Sequence, residues 1–206
     1  GALAAIAQLV GAGVRAAVGH TDASAELARD AFDAGASILT HAFNAMPGIH
    51  HRAPGPVIAA MDDERVTLEL VLDGLHVVPP VARLAFTGAP GRVALVTDSM
   101  AAAGSHDGDY QLGALAVTVR DGLATLRGTD TIAGSTLTQD RALRNAVEVV
   151  GVSLVDAVAA LTAVPAKALG LDVSAAGSPK LGRLAASLGD GGVGRVKGWR
   201  GCEGAS

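Results

Sequence analysis

Apolar and polar positions change period several times along the chain, and those changes lay out its elements. Residues 1–10 are apolar with a helical spread and are closed by Gly11 and Gly13; the run is too short for a membrane span and has no charged leader. Residues 15–19 read as a short buried strand. Thr21, Asp22 and Ser24 then offer capping oxygens to a helix with Leu27, Ala28, Ala31 and Phe32 on one face, stopped by Gly35. Residues 37–40 form the next strand and end at His41. A Pro- and Gly-rich loop over 47–56 leads to a short helix near 57–61 and a strand over 66–72. Pro79 and Pro80 open a helix through Phe86, and residues 92–97 return to strand. Four strand-and-helix steps with short connections predict a parallel sheet, either open and doubly wound or an arc of a (β/α)8 barrel.

The period becomes two between 110 and 127, where Leu115, Val117 and Val119 alternate with polar neighbours and Asp121-Gly122 marks a turn. This predicts an antiparallel β-hairpin excursion. Residues 136–149 and 154–163 read as two helices, the second ending before Pro165, with a further turn over 166–169 capped by Gly170. After Leu184 the periodicity ends. Residues 189–206 are Gly-rich and basic, a composition expected to be disordered.

Composition narrows the function. Half the residues are hydrophobic, which marks a globular chain, while aromatics at 2% and a net charge of −4 argue against nucleic-acid binding by stacking or by a basic footprint. Cys202 is the only cysteine, so an intrachain disulfide and a cysteine zinc site are excluded and a reducing, cytoplasmic setting fits. The first residue is not Met, and the chain is expected to begin inside a longer protein.

The candidate chemistry sits where strands end: Gly19-His20, Thr40-His41, Asp73-Gly74-Leu75-His76 and Thr97-Asp98. Chemistry at the carboxyl ends of parallel strands is the habit of barrel enzymes. Neighbouring strands lie about 4.8 Å apart, so His20 and His41 at matching depths can share one ion. For either histidine alone, a hydrogen bond to backbone is the ordinary alternative; the pair in equivalent positions favours metal. Two imidazoles leave the site short of a third ligand. Asp98 is a candidate general base on the attacking water and then general acid to a leaving amine, against the alternative of a helix or turn cap. His76 is a turn histidine or a substrate ligand, and Arg52 a solvated loop residue or a phosphate fork. Ala133-Gly134-Ser135 precedes a helix, whose start can bind an anion or simply be capped.

The segments Gly19-His20-Thr21-Asp22-Ala23, Thr40-His41-Ala42-Phe43-Asn44-Ala45-Met46-Pro47, Asp73-Gly74-Leu75-His76, Val96-Thr97-Asp98 and Ala133-Gly134-Ser135 closely resemble, in order and spacing, the N-acetylglucosamine-6-phosphate deacetylases of the amidohydrolase superfamily. The resemblance covers roughly residues 1–184. It implies an α/β fold, the C-terminal portion (about strands 5 to 8) of an amidohydrolase (β/α)8 TIM barrel over residues 1–177. The tail, 178–206, would replace the strands of a small β-sandwich. It implies metal-dependent hydrolysis of the acetamide of a phosphorylated amino sugar, with a divalent metal, zinc foremost and iron as another option, on His20 and His41. Asp98 would be the acid/base; Asn44, Ala45, Arg52 and His76 would contact the sugar phosphate, and Ala133, Gly134 and Ser135 would line the substrate. It also implies a homodimer, with Arg52 reaching a neighbouring subunit, and no nucleic-acid or membrane partner. A metal-binding Glu and a further substrate histidine of the family lie in an N-terminal half that this sequence does not include. The chain alone is therefore expected to be a weak enzyme or a non-catalytic fragment, and another N-acetylated amino-sugar phosphate is the alternative substrate. The abrupt Gly/Arg-rich tail resembles a shifted reading frame.

Overall fold

A computed structural model describes residues 1–171 and, beyond them, 188–189 and 192–193. Helix α1 (Ala2–Gly11) precedes four strand-helix steps: β1 (Ala17–Val18), α2 (Ala25–Asp33), β2 (Ile38–Leu39), α3 (Gly55–Asp62), β3 (Thr67–Val71), α4 (Pro79–Gly88) and β4 (Val93–Val96). All four strands are parallel and lie in the order β1-β2-β3-β4. Each new strand adds on the same side of the last. A doubly wound sheet reverses direction at a switch point, so this order decides for a barrel arc.

The helices form where the pattern allows and bury what it presents. Ser24 caps α2, its hydroxyl accepting the Leu27 N–H at 3.3 Å, and Ala25, Ala28, Ala31 and Phe32 pack inward. Leu27, expected on that face, is instead 49% exposed. In β3, Leu68 and Leu70 are fully buried within the main core, so the strand's period of two turns Thr67 and Glu69 to the opposite, concave face. Arg92 ties the underside together by donating to the carbonyls of Ala60, Met61, Asp63 and Val66 at 2.6–3.0 Å, which satisfies the open end of α3.

Past β4 the expected hairpin is a three-stranded antiparallel meander, β5 (Gly108–Leu112), β6 (Leu115–Arg120) and β7 (Leu123–Leu126). Its first turn, at Gly113, carries φ +58 and escaped the pattern because Leu112 and Leu115 flank it as one apolar run. Val117, Val119 and Ala124 form a second small core with Met100, Ala102 and Ala133. Helix α5 (Gln139–Arg144) starts later than the apolar pattern suggests and continues as a π-helical turn over Asn145–Val150. That widened turn lets Asn145 donate to the carbonyl of Leu72 at 2.8 Å, at the end of β3. α6 (Leu154–Leu161) and α7 (Ala163–Ala168) follow, capped at Ser153 and closed by Gly170 at φ +74. The expected disordered tail and the boundary at 177 lie outside the described residues, save for β8 (Leu188–Gly189) and β9 (Gly192–Val193), which pair antiparallel.

Candidate active site

The carboxyl ends of the four strands open into one cavity of about 560 Å3. His20, His41, Asn44, Ala45, His76, Asp98, Ala133 and Gly134 all line it, with Leu112, Leu115 and Leu126 of the meander as its apolar wall. Arg52 is not among the lining residues; it is exposed on the β2–α3 loop, 2.8 Å from the ring of His51. Ser135 is 2% exposed and stands behind the wall, its hydroxyl donating to the Thr97 carbonyl and accepting the Leu137 N–H.

Backbone conformation singles out the same strand ends. Outside glycine, the described residues with positive φ are His20 (43°), His41 (29°), Phe43 (78°), Ala45 (50°), Asp98 (47°) and Asp121 (51°). All but Asp121 sit where β1, β2 or β4 gives way to its loop. Left-handed conformations at side chains with a Cβ cost on the order of 1–3 kcal/mol each and persist where the surroundings over-determine them, commonly at functional sites. Here the loops lock one another: Thr21 N–H donates to Ala45 O at 3.0 Å, and Ala42 N–H to Glu69 O at 2.8 Å. Asn44 braces its own turn, its side-chain amide donating to the carbonyls of His41 and Ala42.

The two imidazoles meet edge to face, with ring centroids 4.6 Å apart and planes at 76°. His41 is 7% exposed, and its Nδ1 is buried without a hydrogen-bond partner. A buried, unpartnered ring nitrogen beside a second imidazole fits a metal-ligating pair. Among the described residues no third His, Cys, Asp or Glu groups with them, and two rings alone fall short of a full coordination shell.

His76 is held by Asp73. The Asp73 carboxylate accepts the His76 ring Nδ1–H at 2.6 Å and the N–H groups of Leu75 and His76 at 2.8 Å each. This fixes the ring and leaves its other nitrogen for the cavity. Burial acts to raise the Asp73 carboxyl, but the His76 and Leu75 donors together outweigh it and hold it below the usual range. Glu69 was not singled out from sequence. Burial pushes its carboxyl up; the His41 N–H and ring oppose this, and the charge of Asp98 adds to it. A glutamate between two buried leucines in a strand was the available signal, since period two sends it to the concave face.

The segment 133–135 reaches the site by pairing with the end of β4: Ser135 N–H donates to Asp98 O at 2.8 Å and Met100 N–H to Ser135 O at 2.9 Å. Gly134 makes this approach possible. Its φ is +66°, and a Cβ there would stand 3.2 Å from Met100 Cβ and 3.3 Å from Asp98 O.

Comparison with known proteins finds relatives in sequence and in structure. No family profile matches the chain. An N-acetylgalactosamine-6-phosphate deacetylase of Escherichia coli O157:H7 is 43% identical over 185 residues, 90% of this chain and 48% of that protein. A shorter protein of Escherichia coli strain K12, provisionally given the same name, is 42% identical over 145 residues, 70% of this chain and 86% of its own length. Among solved structures, an N-acetyl-D-glucosamine-6-phosphate deacetylase from Mycobacterium smegmatis, an aspartate-to-alanine mutant in complex with N-acetyl-D-glucosamine-6-phosphate, superposes with a TM-score of 0.79 at 50% identity. That match covers 83% of this chain and 46% of the solved one. The fold is thus the α/β fold of the amidohydrolases, present here as about half of it. The chain belongs to the N-acetylglucosamine-6-phosphate deacetylase family. It spans about half the length of the first relative and of the solved structure.

Proposed function

We propose that the protein represented by this chain hydrolyses the acetamide of an N-acetylated amino-sugar 6-phosphate, giving acetate and the free amino-sugar phosphate. One observation carries the reading: His20, His41 and Asp98, each in a left-handed conformation at the end of a parallel strand, open on one cavity. The names of its relatives divide between the glucosamine and galactosamine forms, so the reading extends to both epimers.

His20 and His41 would hold a divalent ion, zinc or iron, together with a ligand from elsewhere in the complete protein. When bound, such an ion supplies Lewis-acid chemistry to acetamide hydrolysis. Asp98 takes the proton of the attacking water and returns it to the sugar nitrogen as the C–N bond breaks; one water is consumed and the acetyl carbon leaves as acetate. His76, fixed by Asp73, presents its remaining nitrogen to a substrate oxygen. The N–H of Ala45 makes no hydrogen bond among the described residues, which suits a phosphate contact through the backbone. Arg52, outside the cavity of its own chain, would serve the phosphate across a homodimer interface. No described helix is long and apolar enough to cross a membrane, and the reading places the protein in the cytoplasm.

The test is Asp98→Asn, assayed by acetate release from both epimers. Turnover falls on the order of 10²–10⁴-fold while bound metal stays the same. Undiminished turnover removes Asp98 from the chemistry and the proposal with it.

A further inference from the structure

A second concentration of polar groups lies at the opposite end of the sheet. Arg15, Ser37, Thr67 and Arg92 stand at or just before the first residues of β1, β2, β3 and β4, and with Lys167 of α7 they line a cavity of about 100 Å3. The candidate active site follows the carboxyl ends of these same strands. At roughly 3.3 Å per residue, β3 alone puts about 13 Å between the two ends.

The groups around this cavity are unequally satisfied. Arg65, on its rim, is already held by Asp33 and Asp63 at 2.6 Å each, and Arg92 spends its terminal nitrogens on backbone carbonyls. Glu64 is the carboxylate in the lining, and it acts on Arg92. Arg15 and Lys167, by contrast, make no ion pair among the described residues. On the same cavity, the hydroxyl oxygen of Ser37 is buried and has no hydrogen-bond partner among the described residues. Buried hydroxyls are nearly always paired, so an orphan facing a cavity signals an occupant with a lone pair to offer. Two cations without an ion pair among the described residues, on the same cavity, give that occupant a negative charge.

We propose that this cavity binds a small oxyanion of the phosphate class, gripped by Arg15 and Lys167 and receiving hydrogen bonds from the hydroxyls of Ser37 and Thr67. Its volume suits a tetrahedral ion and is far below the 560 Å3 of the strand-end cavity that would take a whole sugar phosphate. The bound ion joins the start of β1 to α7, elements more than a hundred residues apart in sequence, and stabilises the sheet from below. The site is independent of the catalytic reading.

The experiment titrates the 206-residue chain with inorganic phosphate, following 31P line broadening and the thermal unfolding midpoint, with sodium chloride at matched ionic strength as control. Phosphate broadens and raises the midpoint; chloride does neither. Arg15→Ala combined with Lys167→Ala weakens phosphate binding roughly 10- to 100-fold, as expected for lost charge-assisted hydrogen bonds. Both side chains belong to exposed residues, and circular dichroism confirms that the variant keeps its fold. Arg120→Ala, an exposed cation of the meander that lines neither cavity, leaves phosphate binding unchanged. Binding that survives the double variant undiminished, or that Arg120→Ala weakens as much, overturns the proposal by placing the anion elsewhere. An equal response to chloride, or no broadening at all, overturns it as well.

Discussion

At the scale of single residues, the site is defined by side chains whose backbone and hydrogen bonding are both out of the ordinary. His41 combines φ 29°, near-complete burial and an unpartnered Nδ1, three features that support the metal-ligand role proposed for it. His20→Ala and His41→Ala are each expected to lower bound divalent metal and turnover together, by more than the roughly 10- to 100-fold typical of a residue that only supports a ligand. Metal analysis beside acetate release checks this, and unchanged metal content in either variant would remove that histidine from the site. Asp73 carries a pH signature. Its carboxyl is held below the usual 3.8, so it binds protons less readily folded than unfolded. Its contribution to stability is therefore complete above that unfolded value and is lost as pH falls through the lower folded one. Denaturant titrations across the acid range should show Asp73→Asn with a flatter decline below about pH 4 than the parent.

At the scale of elements, short strands place the candidate residues and long loops hold them. β1 and β2 are two residues each, yet their register, Ala17 with Ile38 and Val18 with Leu39, brings the following histidines to one depth. The β2–α3 loop then serves two ends: its start, His41 to Ala45, belongs to the cavity, while Arg52 stands exposed beside His51. If that arginine completes a phosphate site in a partner, Arg52→Ala weakens binding of the phosphorylated sugar about 10- to 100-fold and leaves the phosphate-free analogue unaffected. Calorimetry with both ligands separates the outcomes, and equal losses would make Arg52 a support for its loop. The meander acts as a wall, and the strand-like pairing of 133–135 with the end of β4 depends on Gly134.

At the scale of the whole molecule, the sheet is an arc in which β1 and β4 each have one neighbour among the described residues. A strand with an open side invites pairing with another chain. With two imidazoles and no third ligand among the described residues, the ion would be weakly held. The purified 206-residue chain, supplied with zinc, is therefore expected to release acetate far more slowly than a full-length relative assayed beside it. Robust turnover that vanishes in Asp98→Asn would show that these residues suffice.

The sequence by itself determined the order and kind of the main elements, because apolar period and Pro, Gly and capping residues act locally: Ser24 before α2, Pro79 at the start of α4, Asp121-Gly122 between β6 and β7. It also marked His20, His41, His76 and Asp98, since a polar residue closing an apolar run can be seen without coordinates. What only the tertiary structure decided is lateral and three-dimensional. Strand order chose the arc over the doubly wound sheet, a choice to which local periodicity is blind. Proximity brought Glu69 beside His41 and Asp98, left Arg52 outside the cavity and set Ser135 behind its wall. The grouping of Arg15, Ser37, Thr67 and Lys167 is likewise a product of packing, because parallel strands collect their first residues at one end, and α7 packs against β3 and β4, whatever separates these elements along the chain.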